Sequence, residues 1–195
     1  MAAPPVRGCA RSAGRAMNAL LRISAGVDAL NRGFAVIASL CVLAACLVSA
    51  SNAGLRYAFS LGSNAWLELQ WYLFAYLVML GAAHVLKVNE HVRVDLVYGL
   101  LSVRGKLWVD LMGLLVFMMP ATVYLLILSW PPALDAWNTG EISPNAGGLV
   151  RWPARFALPI GFALLALQGA AEIVKRVAML TGHITAETHY ERPLQ

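Results

Sequence analysis

The chain is short of charge. Asp, Glu, Lys and Arg together make up 13% of its 195 residues, against roughly 25% in soluble domains. With 59% hydrophobic residues, that shortage excludes a single large water-soluble core and points to an integral membrane protein. Cysteine is scarce as well. Cys9 lies in the N-terminal segment, and Cys41 and Cys46 lie inside an apolar run without C-x-x-C spacing or a nearby histidine. A thiol–metal or redox centre is therefore disfavoured, and helix packing is the simpler reading. No nucleotide-binding glycine pattern, nucleophile elbow or zinc motif occurs. The net charge of +5 is spread between apolar runs rather than gathered into a patch with aromatics, so nucleic acid is not an expected partner. Membrane lipid is.

What the chain does have is long apolar runs. Four are expected to cross a membrane, at about 34–50, 65–86, 107–130 and 156–174. Each approximates the ~17–25 residues needed, and none alternates as a barrel strand does. The fold class is thus all-α, with four transmembrane helices over 34–178. A tail over 1–33 precedes them and a tail over 179–195 follows. Within the first tail, Leu20, Leu21, Ile23, Val27 and Leu30 oppose Arg22, Asp28 and Arg32, which predicts a short amphipathic helix over 18–33 on the membrane surface. Residues 1–16 read as an extension upstream of a second candidate start at Met17. A cleaved signal peptide is the alternative, but the Phe34–Ala50 run is too long for one and its leader too extended.

Orientation follows from the basic residues. The N-terminal segment, the loop between the second and third spans and the C-terminus hold twelve Lys and Arg, and the other two loops hold three. Both termini are therefore expected in the cytoplasm, with Arg56 and the loop 131–155 outside. Tryptophans and tyrosines gather towards the outer ends, as an interfacial belt does. Small residues four apart (Cys41, Ala45, Ser49 and Ala53; Ala166 and Ala170) mark expected helix–helix seams. Pro120 is expected to kink the third span.

Three places carry groups able to do chemistry. Glu68 lies near the start of the second span, with Asn64 as an N-cap candidate. It reads either as a proton or cation site or as an interfacial acid paired with Arg56 or with another protein. The second reading is favoured, because charge near a span end costs far less than at the midplane. Gln70, deeper, is expected to bond across a helix interface. The cluster Glu90-His91-Val92-Arg93-Val94-Asp95 places His91 and Asp95 at i, i+4. That is the sole support for a metal site, so a charged turn is favoured. Haem between axial histidines is disfavoured, because His84 is the one histidine within a span. No cofactor, metal or catalytic residue is assigned, and no enzyme activity is expected.

Several segments, in order, resemble one family. These are Asn52…Arg56-Tyr57, then Trp66-x-Glu68 with Gln70-Trp71-Tyr72-Leu73-Phe74, then Leu80-Gly81-Ala82-Ala83 leading to Glu90–Asp95. Asn145-Ala146-Gly147-Gly148 with Trp152-Pro153 follows, then Leu158-Pro159-Ile160-Gly161-Phe162 and Gln168-Gly169. The chain resembles the DctQ-type small membrane subunit of TRAP (tripartite ATP-independent periplasmic) transporters, over about Asn52–Ala178. Many members carry two adjacent acids where this chain has Glu68 followed by Leu69, so a paired-acid role is not carried over. The resemblance implies a bacterial inner-membrane subunit partnered by a larger membrane subunit and a periplasmic solute-binding protein. It implies sodium-coupled uptake of an organic solute, commonly a carboxylate, with this chain as scaffold. Asn52, Arg56, Tyr57, Trp66, Glu68, Gln70, His91, Arg93, Asp95, Arg151, Trp152 and Pro159 are then structural or partner-contact residues. A haem-bearing or other membrane anchor of a redox complex is the alternative.

Overall fold

The structure, a computed structural model, describes residues 7–88 and 101–184. Helix α1 (Arg7–Phe59) is followed by α2 (Asn64–Val88). Then α3 (Val103–Met112) passes without a break through a π-helical stretch, Gly113–Met118, into α4 (Met119–Thr139). Helix α5 (Trp152–Leu180) completes the bundle. Among the described residues, four helical rods are long and apolar enough to cross a membrane, with α3 and α4 counting as one rod of 37 residues. The one β feature among them is an isolated antiparallel bridge between Ile142 and Val150. In lipid the backbone has to satisfy itself, and continuous helices do that.

Two boundaries differ from expectation. No break separates residues 18–33 from the first span. They belong to the 53-residue α1, which at 1.5 Å per residue is about 80 Å long. A helix lying on the membrane surface would leave Ser24 and Asn31 facing water. Here both are buried against α5 and bonded to it. The helix of the third span also runs past Pro131 and Pro132 to Thr139. It stops at Gly140 in the left-handed conformation (φ 61°), whose N–H reaches the carbonyls of Ala136 and Trp137, a glycine C-cap. Pro120 removes the N–H that would bond Val116 and crowds that carbonyl. The π-helical stretch lies directly before it, an adjustment that widens the turn where the ladder is broken.

Helix α5 packs against α1, α2, α3 and α4. Its buried positions include Ala157, Gly161, Leu164, Gln168, Ala171 and Ala178, spaced in threes, fours and sevens as a coiled-coil seam requires. Helix α1 answers with Ser24, Asn31, Ala38 and Ala45, seven apart and all buried. Of the expected seams, Ala45 is buried, Cys41, Ser49 and Ala166 are half-buried, and Ala53 and Ala170 are exposed. Ala38, Leu80, Ala83 and Leu164 form the apolar centre, with Phe34, Tyr76 and Leu77 around it. Small side chains there let the backbones approach closely, which is how helices associate in lipid without a hydrophobic drive.

The tightest approach is at Gly161, where a Cβ would lie 2.5 Å from Met79 Cβ and 2.8 Å from the Met79 carbonyl oxygen. That neighbour is backbone and cannot step aside. At Gly169 the obstruction is the flexible ends of Met118 and Met119. Gly161→Ala is therefore expected to destabilise the α2–α5 contact by about 1–3 kcal/mol, and Gly169→Ala by clearly less. Thermal denaturation of both variants in detergent checks the order; equal losses would refute it.

Candidate functional site

The polar groups of this bundle gather at its two ends. At the outer end, as oriented from sequence, α2 faces the connection between α4 and α5. Glu68 is buried at 3% relative exposure because that connection folds over it. Its carboxylate accepts hydrogen bonds from Ser143 Oγ, from Asn145 Nδ2 at 2.7 Å and from the Leu149 N–H at 2.7 Å. One turn before it, Asn64 Nδ2 donates to the Ala146 carbonyl (3.2 Å). One and two turns after it, the hydroxyls of Tyr72 and Tyr76 donate to the carbonyls of Val150 (3.3 Å) and Pro153 (2.8 Å). One face of α2, read at i, i+4, i+8 and i+12, thus grips the connection along its length.

The Asn145-Ala146-Gly147-Gly148 segment is shaped for this grip. Asn145 supplies a donor to Glu68. Gly147 takes a left-handed φ of 72°. At Gly148 a Cβ would lie 2.5 Å from Ser143 Cβ. Glu141 ties the base of the connection to the start of α5 through Arg151 (2.9 Å) and Arg155 (2.8 Å). Trp152 meets Trp137 edge-on at 4.6 Å, and Phe156 packs edge-on against Trp130, Trp137 and Trp152. Such edge-to-face pairs each add roughly 0.5–1.5 kcal/mol beyond area burial.

Arg56 is not the partner of Glu68. Together with Ser49, Asn52, Ala53, Tyr57, Leu67 and Gln70, it lines a separate open cavity of about 520 Å³ between α1 and α2. Gln70 thus opens onto this cavity and makes no side-chain hydrogen bond across the helix pair among the described residues. Trp66 is 39% exposed, and Pro159 is fully buried inside α5. His91, Arg93 and Asp95 lie outside the described residues.

At the opposite end, the structure shows a site that the sequence pattern alone does not announce. Asn31 Nδ2 donates to Gln168 Oε1 (2.7 Å), and Gln168 Nε2 donates to Asp28 (2.9 Å) and Glu172 (3.0 Å). Lys175 Nζ bridges Asp28 (2.7 Å) and Glu172 (2.9 Å). Arg176 pairs with Glu172 and approaches Asp110 at 3.7 Å, while Lys87 lies 3.8 Å from Asp28. Gln168 and Asn31 have no exposed surface at all. A signal for it exists: Ser24, Asp28 and Asn31, and likewise Gln168, Glu172, Lys175 and Arg176, recur at three and four residues, one helix face each. Hydropathy averaged over a span hides such a stripe.

Chemically, both ends fasten. Glu68 has its oxygens filled by donors from the same chain. Among the described residues, no group of three or more His, Cys, Asp or Glu is placed to hold a metal ion.

The architecture defines a class, a compact multi-pass helical membrane subunit whose buried polar groups hold its own helices and the α4–α5 connection together. The family model of the tripartite ATP-independent periplasmic transporters, DctQ component, matches residues 45–179. The chain belongs to that family, as a TRAP transporter small membrane subunit, and the family is a transporter component rather than an enzyme family. No curated protein and no solved structure matches the chain.

Two consequences are measurable. Glu68→Ala is expected to free the connection, raising amide exchange at Ser143 and Leu149 about tenfold or more, with Glu68→Gln intermediate. Unchanged exchange would mean that Glu68 does not hold the loop. At the other end, Glu172→Leu leaves Arg176 and Lys175 short of a partner and is expected to cost about 3–5 kcal/mol. Adding Arg176→Leu should recover part of that loss, and a strictly additive double mutant would argue against coupling.

Proposed function

We propose that this subunit is the fixed scaffold of a TRAP transporter in the bacterial inner membrane. It braces a larger membrane subunit that carries the solute in sodium-coupled uptake, and a periplasmic binding protein delivers the solute. The solute is an organic anion, with a carboxylate the expected class. Both termini face the cytoplasm, in line with the twelve-to-three distribution of basic residues.

One observation carries the reading. The buried charged and amide groups at Glu68 and around Gln168 are bonded within the chain, whereas the apolar flanks of the spans are left uncovered. Leu40, Leu43 and Leu47 of α1 and Phe117, Tyr124 and Ile127 on the α3–α4 rod are all more than half exposed. A part that holds its shape from within and offers broad apolar flanks is suited to widening an immobile wall against which a carrier slides.

Uptake by cells expressing the large subunit and binding protein is expected to collapse when this subunit is deleted, and to return with the intact chain. Full transport without it would sink the scaffold reading. A topology reporter fused after Gln195 should be active on the cytoplasmic side; activity confined to the outer side would reverse the orientation.

A further inference from the structure

The cavity between the outer ends of α1 and α2 takes part in neither internal fastening. Ser49, Asn52, Arg56, Tyr57 and Gln70 line about 520 Å³ of open space, and Leu67 shares the lining. Among the described residues the side chains of Asn52, Arg56 and Gln70 have no hydrogen-bond or ion-pair partner. This contrasts with Glu68, one position after Leu67 on α2, whose carboxylate is turned to the loop and filled. We propose that this cavity binds the phosphodiester head of an anionic glycerophospholipid from the leaflet at the Arg56 end of the bundle.

The charge is right for an anion. Arg56 is the basic residue of the last turn of α1, and no acid lines the cavity. The carbonyls of Leu55 and Arg56, which would repel an anion at a helix C-terminus, are already taken by the N–H groups of Leu61 and Ser60. Leu67 brings the first turn of α2 into the lining, the end of a helix that favours negative charge. A guanidinium with amide and hydroxyl donors around it is the usual recognition set for phosphate. The same lack of acids leaves nothing to receive an ethanolamine or choline cation. A head group ending in hydroxyls suits Asn52, Gln70 and Ser49 better.

The surroundings call for a lipid rather than a free ion. Seven residues are two helical turns, so Val42 continues the face of Ser49 on α1, and Phe74 continues that of Leu67 on α2. Both are exposed large apolar side chains. The polar cavity therefore opens onto an apolar track running towards the midplane, where acyl chains would lie. At the water side Tyr57 is 96% exposed and Phe59 and Leu61 more than 60%, as residues at a head-group layer are.

The test uses the full chain purified in mild detergent, equilibrated with phosphatidylglycerol or phosphatidylcholine and read by native mass spectrometry. Wild type should retain phosphatidylglycerol in preference. Arg56→Gln should weaken retention about tenfold, the loss expected when one charge-assisted contact goes. Gln70→Leu should weaken it less, and Arg22→Gln, which removes an exposed arginine elsewhere on α1, should not change it. Circular dichroism confirms the fold of each variant. Equal retention by wild type and Arg56→Gln overturns the proposal, and so does full displacement by millimolar inorganic phosphate, which would make the site a reader of bare oxyanions. It also fails if, in the complex with the large subunit, Arg56→Gln releases that subunit while lipid retention stays the same. The cavity would then be reading a protein carboxylate.

Discussion

Gln168 is a fully buried amide in an apolar bundle, and it cannot satisfy itself within its own helix. It has one acceptor oxygen and two N–H donors, and an amide left unpaired in a dry interior costs several times what an ordinary hydrogen bond contributes. Asn31 of α1 meets the oxygen, while Asp28 of α1 and Glu172 of α5 meet the nitrogen. The need of this one side chain fixes the rotation and register of α1 against α5. Slide α1 by one residue and Asn31, Asp28 and Ser24 all leave the seam together. Apolar contacts cannot impose that register, because lipid tails are as good a neighbour for leucine as another leucine is. A buried polar residue as a register device is well attested in coiled coils, and the seven-residue spacing of Ser24, Asn31, Ala38 and Ala45 belongs to that geometry.

The outer end solves a different problem with the same physics. Residues 140–151 are irregular backbone joining two membrane-spanning helices, and their N–H and C=O groups need partners wherever water is kept away. Side chains on α2 provide them. Glu68 accepts from Leu149 N–H, Asn64 donates to Ala146, Tyr72 to Val150 and Tyr76 to Pro153. One helix face thus serves as the missing half of a hydrogen-bond ladder. Bundle and connection are clamped at opposite ends, with an alanine- and leucine-rich centre between them.

The four apolar runs, the helical class and the outer motifs were legible because each is local. A span announces itself over about twenty residues, and Asn145–Gly148 or Trp152-Pro153 over a handful. The partner of Glu68 was not legible. Arg56 is the nearest basic residue before it in sequence, whereas the actual donors lie 75–81 residues away. Only the packing of α2 beside the connection brings them together. The length of α1 was missed because a run of arginines ends the apolar stretch and suggests an interface. The helix instead continues, since its polar residues find partners on α5 rather than water. The helix of the third span also extends beyond its apolar run. The apolar run ends at Trp130, yet the helix carries Pro131 and Pro132 through to the glycine cap at Gly140.

A stripe of acids and bases across a membrane bundle invites an ion-pathway reading, and the geometry argues against it here. Asp28, Glu172 and Asp110 are matched by Lys87, Lys175 and Arg176 in contacts of up to 3.8 Å. The place between Asp28 and Glu172, where a cation would gain most, is occupied by the Lys175 ammonium, within 2.9 Å of both. A tethered cation is always at high effective concentration, so a passing ion would have to displace a charge that cannot diffuse away. Conduction needs sites weak enough to be vacated, and this one is filled by covalent design. The cluster is a structural counter-ion set. Among the described residues, Asn52, Arg56 and Gln70 line open space without internal partners, at the other end of the molecule.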